Sequence, residues 1–159
     1  MRAGGYGSFA HPMDSGAREE LDVSTEKSYP DIHTHIQKLM GQVQREIPSV
    51  MEGFGKLHHA AVGDGTLDPK TKELIALGIA ISVRCEGCIS FHVHDALKAG
   101  ATRPEIAEAI GVAILMGGGP SLMYGVEAYE ALGQFEAGLG TGAQARDQGE
   151  KQAGAISAD

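Results

Sequence analysis

The chain has 159 residues, of which 42% are hydrophobic and only 5% aromatic, with no tryptophan. This is enough apolar material for one domain with a core of aliphatic side chains and alanine. Its formal net charge of −8 opposes binding to phosphate backbones and anionic membranes, so we expect neither nucleic acid nor a membrane as partner.

The compartment follows from the N-terminal residues and the cysteines. The first ten residues lack the continuous apolar stretch of a secretory signal. No window has the length of uninterrupted apolar sequence that a membrane span needs. We therefore expect a soluble, cytoplasmic protein. There, two cysteines three residues apart are more often catalytic or metal-binding than structural.

The two ends of the chain differ in composition from its middle. Residues 1–27 are rich in glycine, serine and charge, and residues 137–159 are rich in glycine and glutamine. Such segments bury too little apolar surface to offset the entropy lost on ordering. We predict a flexible N-terminal tail or arm over 1–27, one domain over 28–136 and a flexible C-terminal tail over 137–159.

The first half of the domain has helical periodicity. An aliphatic stripe with a period near 3.6 predicts a helix over 32–47, which Pro48 ends. A second helix follows this proline. Asp68 and Pro69 form an N-cap and first-turn proline that begin a third helix, in which residues 74–81 are apolar nearly all round.

The second half continues the helical pattern. A fourth helix is predicted from Cys85 to Gly100, and a capping box of Thr102 and Glu105 begins a fifth. The Gly-Gly-Gly-Pro segment at 117–120 separates it from a last helix. The sequence thus predicts an all-α bundle of about six helices. Because two of them are apolar nearly all round, we expect the bundle to assemble as a homo-oligomer.

The residues most suited to chemistry lie at the start of the fourth helix. Cys85, Cys88 and His92 are at positions i, i+3 and i+7, so they share one helix face. A cysteine at a helix N-terminus is favoured as thiolate by free N–H groups and the helix dipole. After one cysteine of such a pair attacks a substrate, the other can resolve the product as a disulfide.

Glu73 is a candidate partner of this group. On one straight helix, the fifteen residues from Glu73 to Cys88 would span over about 20 Å. The chain must therefore reverse near Val83-Arg84, or another subunit must supply the carboxylate. Reversal brings Glu73 nearer His92 than Cys85, which predicts a role as base or as the group that orients His92.

The pattern Glu73-x11-Cys85-x2-Cys88-x3-His92, followed by the segment 95–102, resembles the alkylhydroperoxidase D core. That core belongs to the carboxymuconolactone decarboxylase-like superfamily, and the resemblance covers roughly 29–134. It implies an all-α fold that assembles as homo-trimers or homo-hexamers. It also implies thiol-based reduction of hydroperoxides by an external dithiol, without a cofactor.

The resemblance also assigns roles. Cys88 corresponds to the peroxidatic cysteine, which passes through a sulfenic acid, and Cys85 to the resolving cysteine, which receives electrons. Glu73 and His92 correspond to the proton relay. In well-known members a second histidine precedes the latter cysteine, and here that position is Gly87.

We therefore predict a thiol-dependent hydroperoxide reductase or disulfide oxidoreductase with an antioxidant role. One alternative is a lyase of the carboxymuconolactone decarboxylase type that uses His92 and Glu73 as acid and base. Another is a non-enzymatic, zinc-stabilised module in which Cys85, Cys88, His92 and Glu73 supply ligands. Structural zinc sites rarely use a carboxylate, so we expect no metal.

Overall fold

The computed structural model describes residues 27–156, with side chains for residues 27–138. This part of the chain forms five helices and contains no strand, which confirms the predicted all-α class. The helices are α1 (Tyr29–Glu46), α2 (Pro48–Val62), α3 (Pro69–Ser82), α4 (Glu86–Lys98) and α5 (Arg103–Ile156).

The helices begin where the sequence has capping residues. Asp68 caps α3, and its Oδ1 accepts a hydrogen bond of 2.7 Å from the backbone N–H of Thr71. The N–H of Thr102 donates to Oε2 of Glu105 at 2.7 Å, which forms one half of the predicted capping box at the start of α5. These bonds satisfy N–H groups that a helix leaves free at its first turn.

Helix α5 consists of two helical segments joined at a kink, and these correspond to the last two predicted helices. Within α5 only Gly118 departs from helical geometry, with φ 65° and ψ −150°, and Pro120 follows it. Side chains strongly disfavour this backbone region, so glycine is needed at the break. The chain therefore breaks its helix at the glycine segment, where the sequence predicted a break.

The expected tails have different outcomes. Residues 1–26 lie outside the described residues, so only Lys27 of the predicted N-terminal tail is described. At the other end α5 remains helical to Ile156, past residue 137 where a flexible tail was expected to begin.

The core lies between α3, α4 and α5. Helix α3 packs against both of the others, and the start of α1 closes one side of the bundle. The largest fully buried apolar side chains come from these four helices: Tyr29, Leu77, Ile81, Ile89, Val93, Ile106 and Leu132. This core holds α3 and α4 side by side, and these two helices carry the candidate active-site residues.

A large apolar surface remains exposed outside this core. The last part of the predicted α1 stripe is exposed, and α2 contains no buried residue. A groove of about 490 Å³ between α3 and α5 is also lined mainly by apolar side chains. The exposed large apolar residues include Leu39, Val43, Ile47, Val50, Phe54, Leu57, Ile75, Ile79, Val112, Leu115 and Met116. Monomeric proteins rarely leave so much contiguous apolar surface uncovered.

One helical stretch, Arg103–Gly138, is long and apolar enough to span a membrane by length and composition alone. The sequence analysis expected no such span, because no window has the required length of uninterrupted apolar residues. A single helix of this kind is weak evidence for a span, because core helices of soluble proteins meet the same criterion. Gly118 also interrupts its helical geometry.

Candidate active site

A tight turn after α3 sets the geometry of the site. The N–H of Cys85 donates to the carbonyl of Ala80 at 3.0 Å, and the N–H of Arg84 donates to that of Ile81 at 3.2 Å. These two bonds form a Schellman motif, with Arg84 in the left-handed region at φ 61°. The turn reverses the chain within three residues of the end of α3, so α4 runs back along α3.

The reversal places Cys85 at the N-cap of α4. Its Sγ accepts a hydrogen bond of 3.3 Å from the backbone N–H of Cys88. The two cysteines form a disulfide, with their Cα atoms 5.2 Å apart. A helix N-terminus favours negative charge through its free N–H groups and dipole, so the reduced pair has a site that stabilises a thiolate.

Glu73 and His92 lie in contact in the same chain. Oε2 of Glu73 is 2.8 Å from Nδ1 of His92, so the ring donates to the carboxyl group when Nδ1 carries the proton. The carboxyl group is almost fully buried, with 6% of the side chain exposed, while 21% of the His92 side chain is exposed. A buried carboxylate requires such a partner, because an unpaired one would lose its hydration without compensation.

The four predicted site residues are therefore carried by two adjacent helices. Glu73 comes from the first turn of α3, and the other three come from α4 and its N-cap. Cys88 packs partly buried against the core. His92 is one helical turn beyond it, and residues four apart on a helix are neighbours. The arrangement offers two thiols, a nitrogen base and a carboxylate that fixes the ring.

A side chain of α1 fills the space beside Gly87, which directly precedes Cys88. A Cβ atom built on Gly87 would lie 2.8 Å from Cδ1 of Ile36, closer than such contacts occur. The side chain of Ile36 thus occupies the space beside Gly87. Any larger residue at Gly87 requires Ile36 to move.

The side chains of the site were also compared with the requirements of a metal centre. Among the residues with described side chains, no group of three or more histidine, cysteine, aspartate or glutamate residues is arranged to hold a metal ion. The four residues that the zinc alternative invoked are divided between a disulfide and a hydrogen-bonded contact.

The sequence analysis missed a histidine cluster beside the site. His33 is buried, although it lies beside the apolar stripe of α1 and not within it. Its ring centroid lies 4.4 Å from that of Phe91 and 4.5 Å from that of His94. Burial lowers the pKa of His33, and the charge of His94 lowers it further, against a smaller opposing effect of Asp95.

A second missed group lies at the start of α4. The Nζ atom of Lys27 is 2.7 Å from Oε1 of Glu86, the residue that follows Cys85. Burial lowers the pKa of Lys27, but hydrogen bonds to Glu86 and Glu127 outweigh that effect and raise it above its ordinary value. Lys27 is therefore cationic. The composition of the predicted tail gave no sign of this contact, which depends on the tertiary fold.

Several known proteins are similar to this chain. An uncharacterised protein of Cupriavidus necator is 39% identical over 104 residues, which cover 65% of this chain and 89% of the relative. The crystal structure of a carboxymuconolactone decarboxylase family protein from Legionella pneumophila superposes with a TM-score of 0.66 at 47% identity, covering 67% of this chain and 96% of that one. A family member from Thermotoga maritima, for which a role in antioxidative response has been suggested, gives 0.57 at 28% identity and covers 65% and 94%.

The family match includes the candidate site. Residues 48–131 match the model of the carboxymuconolactone decarboxylase family, and this range contains Glu73, Cys85, Cys88 and His92. It covers just over half of the chain. Together with the all-α fold and the motif shared with alkylhydroperoxidase D, this match establishes that the chain belongs to the carboxymuconolactone decarboxylase family.

Proposed function

We propose that the protein is a thiol-dependent hydroperoxide reductase that uses Cys88 and Cys85 as a redox pair. The observation that carries the proposal is the disulfide of these cysteines at the start of α4, on the helix that also presents His92. A pair at this spacing closes and opens with little backbone movement. The contact between Glu73 and His92 supplies the acid–base group that such a cycle needs.

The cycle transfers two electrons. The thiolate of Cys88 attacks one oxygen of the hydroperoxide, the O–O bond breaks, and the alcohol leaves with a proton supplied through His92. Cys88 is then a sulfenic acid. The thiolate of Cys85 attacks its sulfur, the S–S bond forms, and hydroxide leaves and takes a proton to become water. An external dithiol reduces the disulfide by exchange and is itself oxidised.

Glu73 acts in this cycle as the group that orients His92. Because Nδ1 of the ring faces the carboxylate, Nε2 is left to exchange protons with substrate, thiol or water. The contact lies within one chain, so the relay does not require a carboxylate from another subunit. The suggested antioxidative role of the Thermotoga maritima relative is consistent with this chemistry.

The proposed working form is a cytoplasmic homo-oligomer, a trimer or hexamer. Its support is the exposed apolar surface of α1, α2 and α3, which has no partner among the described residues. Helix α2 is the strongest case, since none of its residues is buried. Assembly would remove this surface from water. The proposed partners are a hydroperoxide and an external dithiol.

Thiol titration of the full-length protein tests the proposal. The reduced protein is titrated before and after one equivalent of a hydroperoxide, with metal analysis on the same sample. We expect two thiols per chain to be lost and then restored by a dithiol, without bound zinc. Thiols that remain unreactive toward hydroperoxides, or one zinc per chain, would overturn the proposal.

A lyase acting on a lactone acid is the second candidate. It is favoured by one observation, the contact of Glu73 with His92, which provides an acid–base pair without the cysteines. A variant with both Cys85→Ser and Cys88→Ser separates the two functions. Loss of peroxide reduction in that variant supports the redox function, whereas full turnover of a lactone acid would support the lyase.

A further inference from the structure

The residues just before α1 are fastened to α4 and α5 by a polar network. The ammonium group of Lys27 lies 2.7 Å from Oε1 of Glu86 and 2.9 Å from Oε2 of Glu127. The Tyr29 hydroxyl donates to that oxygen of Glu127 at 2.8 Å. The side-chain oxygen of Gln134 accepts from the N–H of Tyr29 at 2.7 Å, and its nitrogen donates to the carbonyl of Lys27 at 2.8 Å.

This network is attached to the hydrophobic core through Tyr29. Tyr29 is fully buried, and its carbonyl accepts a hydrogen bond of 2.8 Å from the hydroxyl of Ser90 in α4. Backbone and side chain of the segment are thus both held. Because Lys27 is anchored in this way, its ammonium group reaches Glu86 with less loss of side-chain entropy than a free surface lysine.

The position of Glu86 gives this ion pair a consequence for the thiol. Glu86 is the first residue of α4 and directly follows Cys85, the N-cap. A carboxylate in the first turn stabilises the helix, but it also opposes ionisation of a neighbouring thiol. The ammonium group of Lys27 offsets the negative charge of that carboxylate. The helix N-terminus can then still favour the thiolate form of Cys85.

We propose that Lys27 is a positioning residue that raises the thiolate fraction of Cys85 by neutralising Glu86. The inference rests on the proposed function only in that the thiolate of Cys85 is the nucleophile that resolves the Cys88 sulfenic acid. Lys27, Tyr29 and Gln134 all lie outside residues 48–131, which match the family model. This control of the thiol is thus built from segments that flank the matched domain.

The test is the pH profile of alkylation of Cys85 by iodoacetamide, in full-length reduced protein carrying Cys88→Ser so that only one thiol reacts. With Lys27→Gln we expect the midpoint of the profile to rise by roughly half a pH unit to one unit, as for loss of a nearby compensating charge. The rate at pH 7 falls by about threefold to tenfold. Lys27→Arg keeps the charge and restores the profile.

A double-mutant cycle separates this effect from a structural one. Glu86→Gln alone lowers the midpoint, because it removes the negative charge next to the thiol. In the Glu86→Gln background, Lys27→Gln shifts the midpoint by less than half as much as it does with Glu86 present, because the ammonium group is then held by Glu127 alone and no longer at the start of α4. An equal shift in both backgrounds, or none in either, would overturn the inference. If Lys27→Gln does not fold, Lys27→Met takes its place, and an unchanged midpoint overturns the inference.

The chain contains a matched control. Lys70 and Glu105 form an ion pair of the same 2.7 Å length, also with a carboxylate in the first turn of a helix and with similar exposure. Lys70→Gln should leave the alkylation midpoint of Cys85 unchanged. A protein that shows the Lys27 effect but consumes no hydroperoxide would retain this inference and lose the proposed function. A protein that consumes hydroperoxide but lacks the Lys27 effect would retain the proposed function and lose this inference.

Discussion

Glu73 and His92 are 19 residues apart in sequence, yet Oε2 of the one lies 2.8 Å from Nδ1 of the other. The turn at Arg84 makes this contact, because it reverses the chain between α3 and α4. The carboxylate fixes both the tautomer and the orientation of the ring. His92 is therefore presented with Nε2 free, on the same helix as both cysteines.

Removal of the Glu73 charge should change the reactive thiol through His92. An ionised carboxylate favours the imidazolium form, and imidazolium favours a nearby thiolate. Glu73→Gln should shift the pH profile of Cys88 alkylation toward higher pH, measured with Cys85→Ser present. Since glutamine can still accept a hydrogen bond from Nδ1, the fold should persist by circular dichroism. An unchanged profile would remove Glu73 from the relay.

Substitution of Cys88 and substitution of Cys85 should have different effects on the reaction with hydroperoxide. Cys88→Ser should abolish hydroperoxide consumption without unfolding the protein. With Cys85→Ser, Cys88 should still react once and remain a sulfenic acid, which dimedone labels and mass spectrometry detects. Wild-type turnover by Cys88→Ser would contradict the mechanism. Dimedone labelling of Cys85 in Cys88→Ser after peroxide treatment would reverse the assigned roles.

The turn that precedes Cys85 contains backbone strain. Arg84 has φ 61°, and Gly100 has φ 88° in the equivalent position after α4. Arg84→Gly should stabilise the protein by up to about 1 kcal/mol, since a side chain in the left-handed region costs about that much. Gly100→Ala should destabilise it by about 1 kcal/mol or more for the same reason.

Urea unfolding of the reduced protein measures both substitutions. The pair is a matched comparison, because each turn closes with the same two hydrogen bonds, to Ala80 and Ile81 in one case and to Ala96 and Leu97 in the other. A destabilising effect of Arg84→Gly would show that the arginine side chain stabilises the turn by more than its strain costs.

Burial of His33 should make stability depend on pH. Burial, and then the charge of His94, lower the pKa of His33 in the folded protein below its ordinary value of 6.5. The unfolded chain therefore binds more protons in this window, so the free energy of unfolding falls as pH falls below about 6.5 toward the folded pKa. His33→Phe keeps an aromatic ring and should flatten this dependence.

The measurement is urea unfolding between pH 5 and pH 7.5. His35 lies on the exposed side of α1, so His35→Gln serves as control and should retain the dependence of the wild type. Equal slopes in the wild type and His33→Phe would show that other groups account for the pH effect.

The exposed apolar faces should control assembly. Phe54→Glu in α2 and Ile79→Glu in α3 place a charge on surfaces that are 55% and 57% exposed in the single chain. We expect each to shift the protein toward monomers, because burial of an unpaired charge opposes association. Light scattering after size exclusion gives the subunit number. Lys56→Gln, on the polar side of α2, should leave it unchanged, and a monomeric wild type would contradict the proposed assembly.

Local signals in the sequence were sufficient for much of the fold. The N-cap at Asp68, the capping box at Thr102 and the proline at position 48 act within a few residues, so they mark helix starts without tertiary information. The distance from Glu73 to Cys88 along a straight helix also limited the possibilities to two, a reversal near Val83-Arg84 or a carboxylate from another subunit, and the structure has the reversal. Helical spacing also predicted that three of the site residues share one helix face.

What the sequence could not reveal depends on packing between distant segments. The stripe on α1 predicted one continuous apolar face, but in the structure Val43 and Ile47 of this face are exposed, whereas His33 is buried. Periodicity identifies an apolar face but not the partner that covers it. Lys27 was assigned to a tail because its composition is polar, and its contacts with Glu86 and Glu127 span the chain.

The disulfide between Cys85 and Cys88 closes a very short loop, with a sequence separation of three. On a chain-entropy description, a cross-link of this size restricts the unfolded chain by only about 2 kcal/mol, well below the value for a long loop. Reduction therefore removes less stability than the reduction of a disulfide that closes a long loop. In the proposed redox cycle, the pair can alternate between dithiol and disulfide states without releasing a long-range cross-link of the fold.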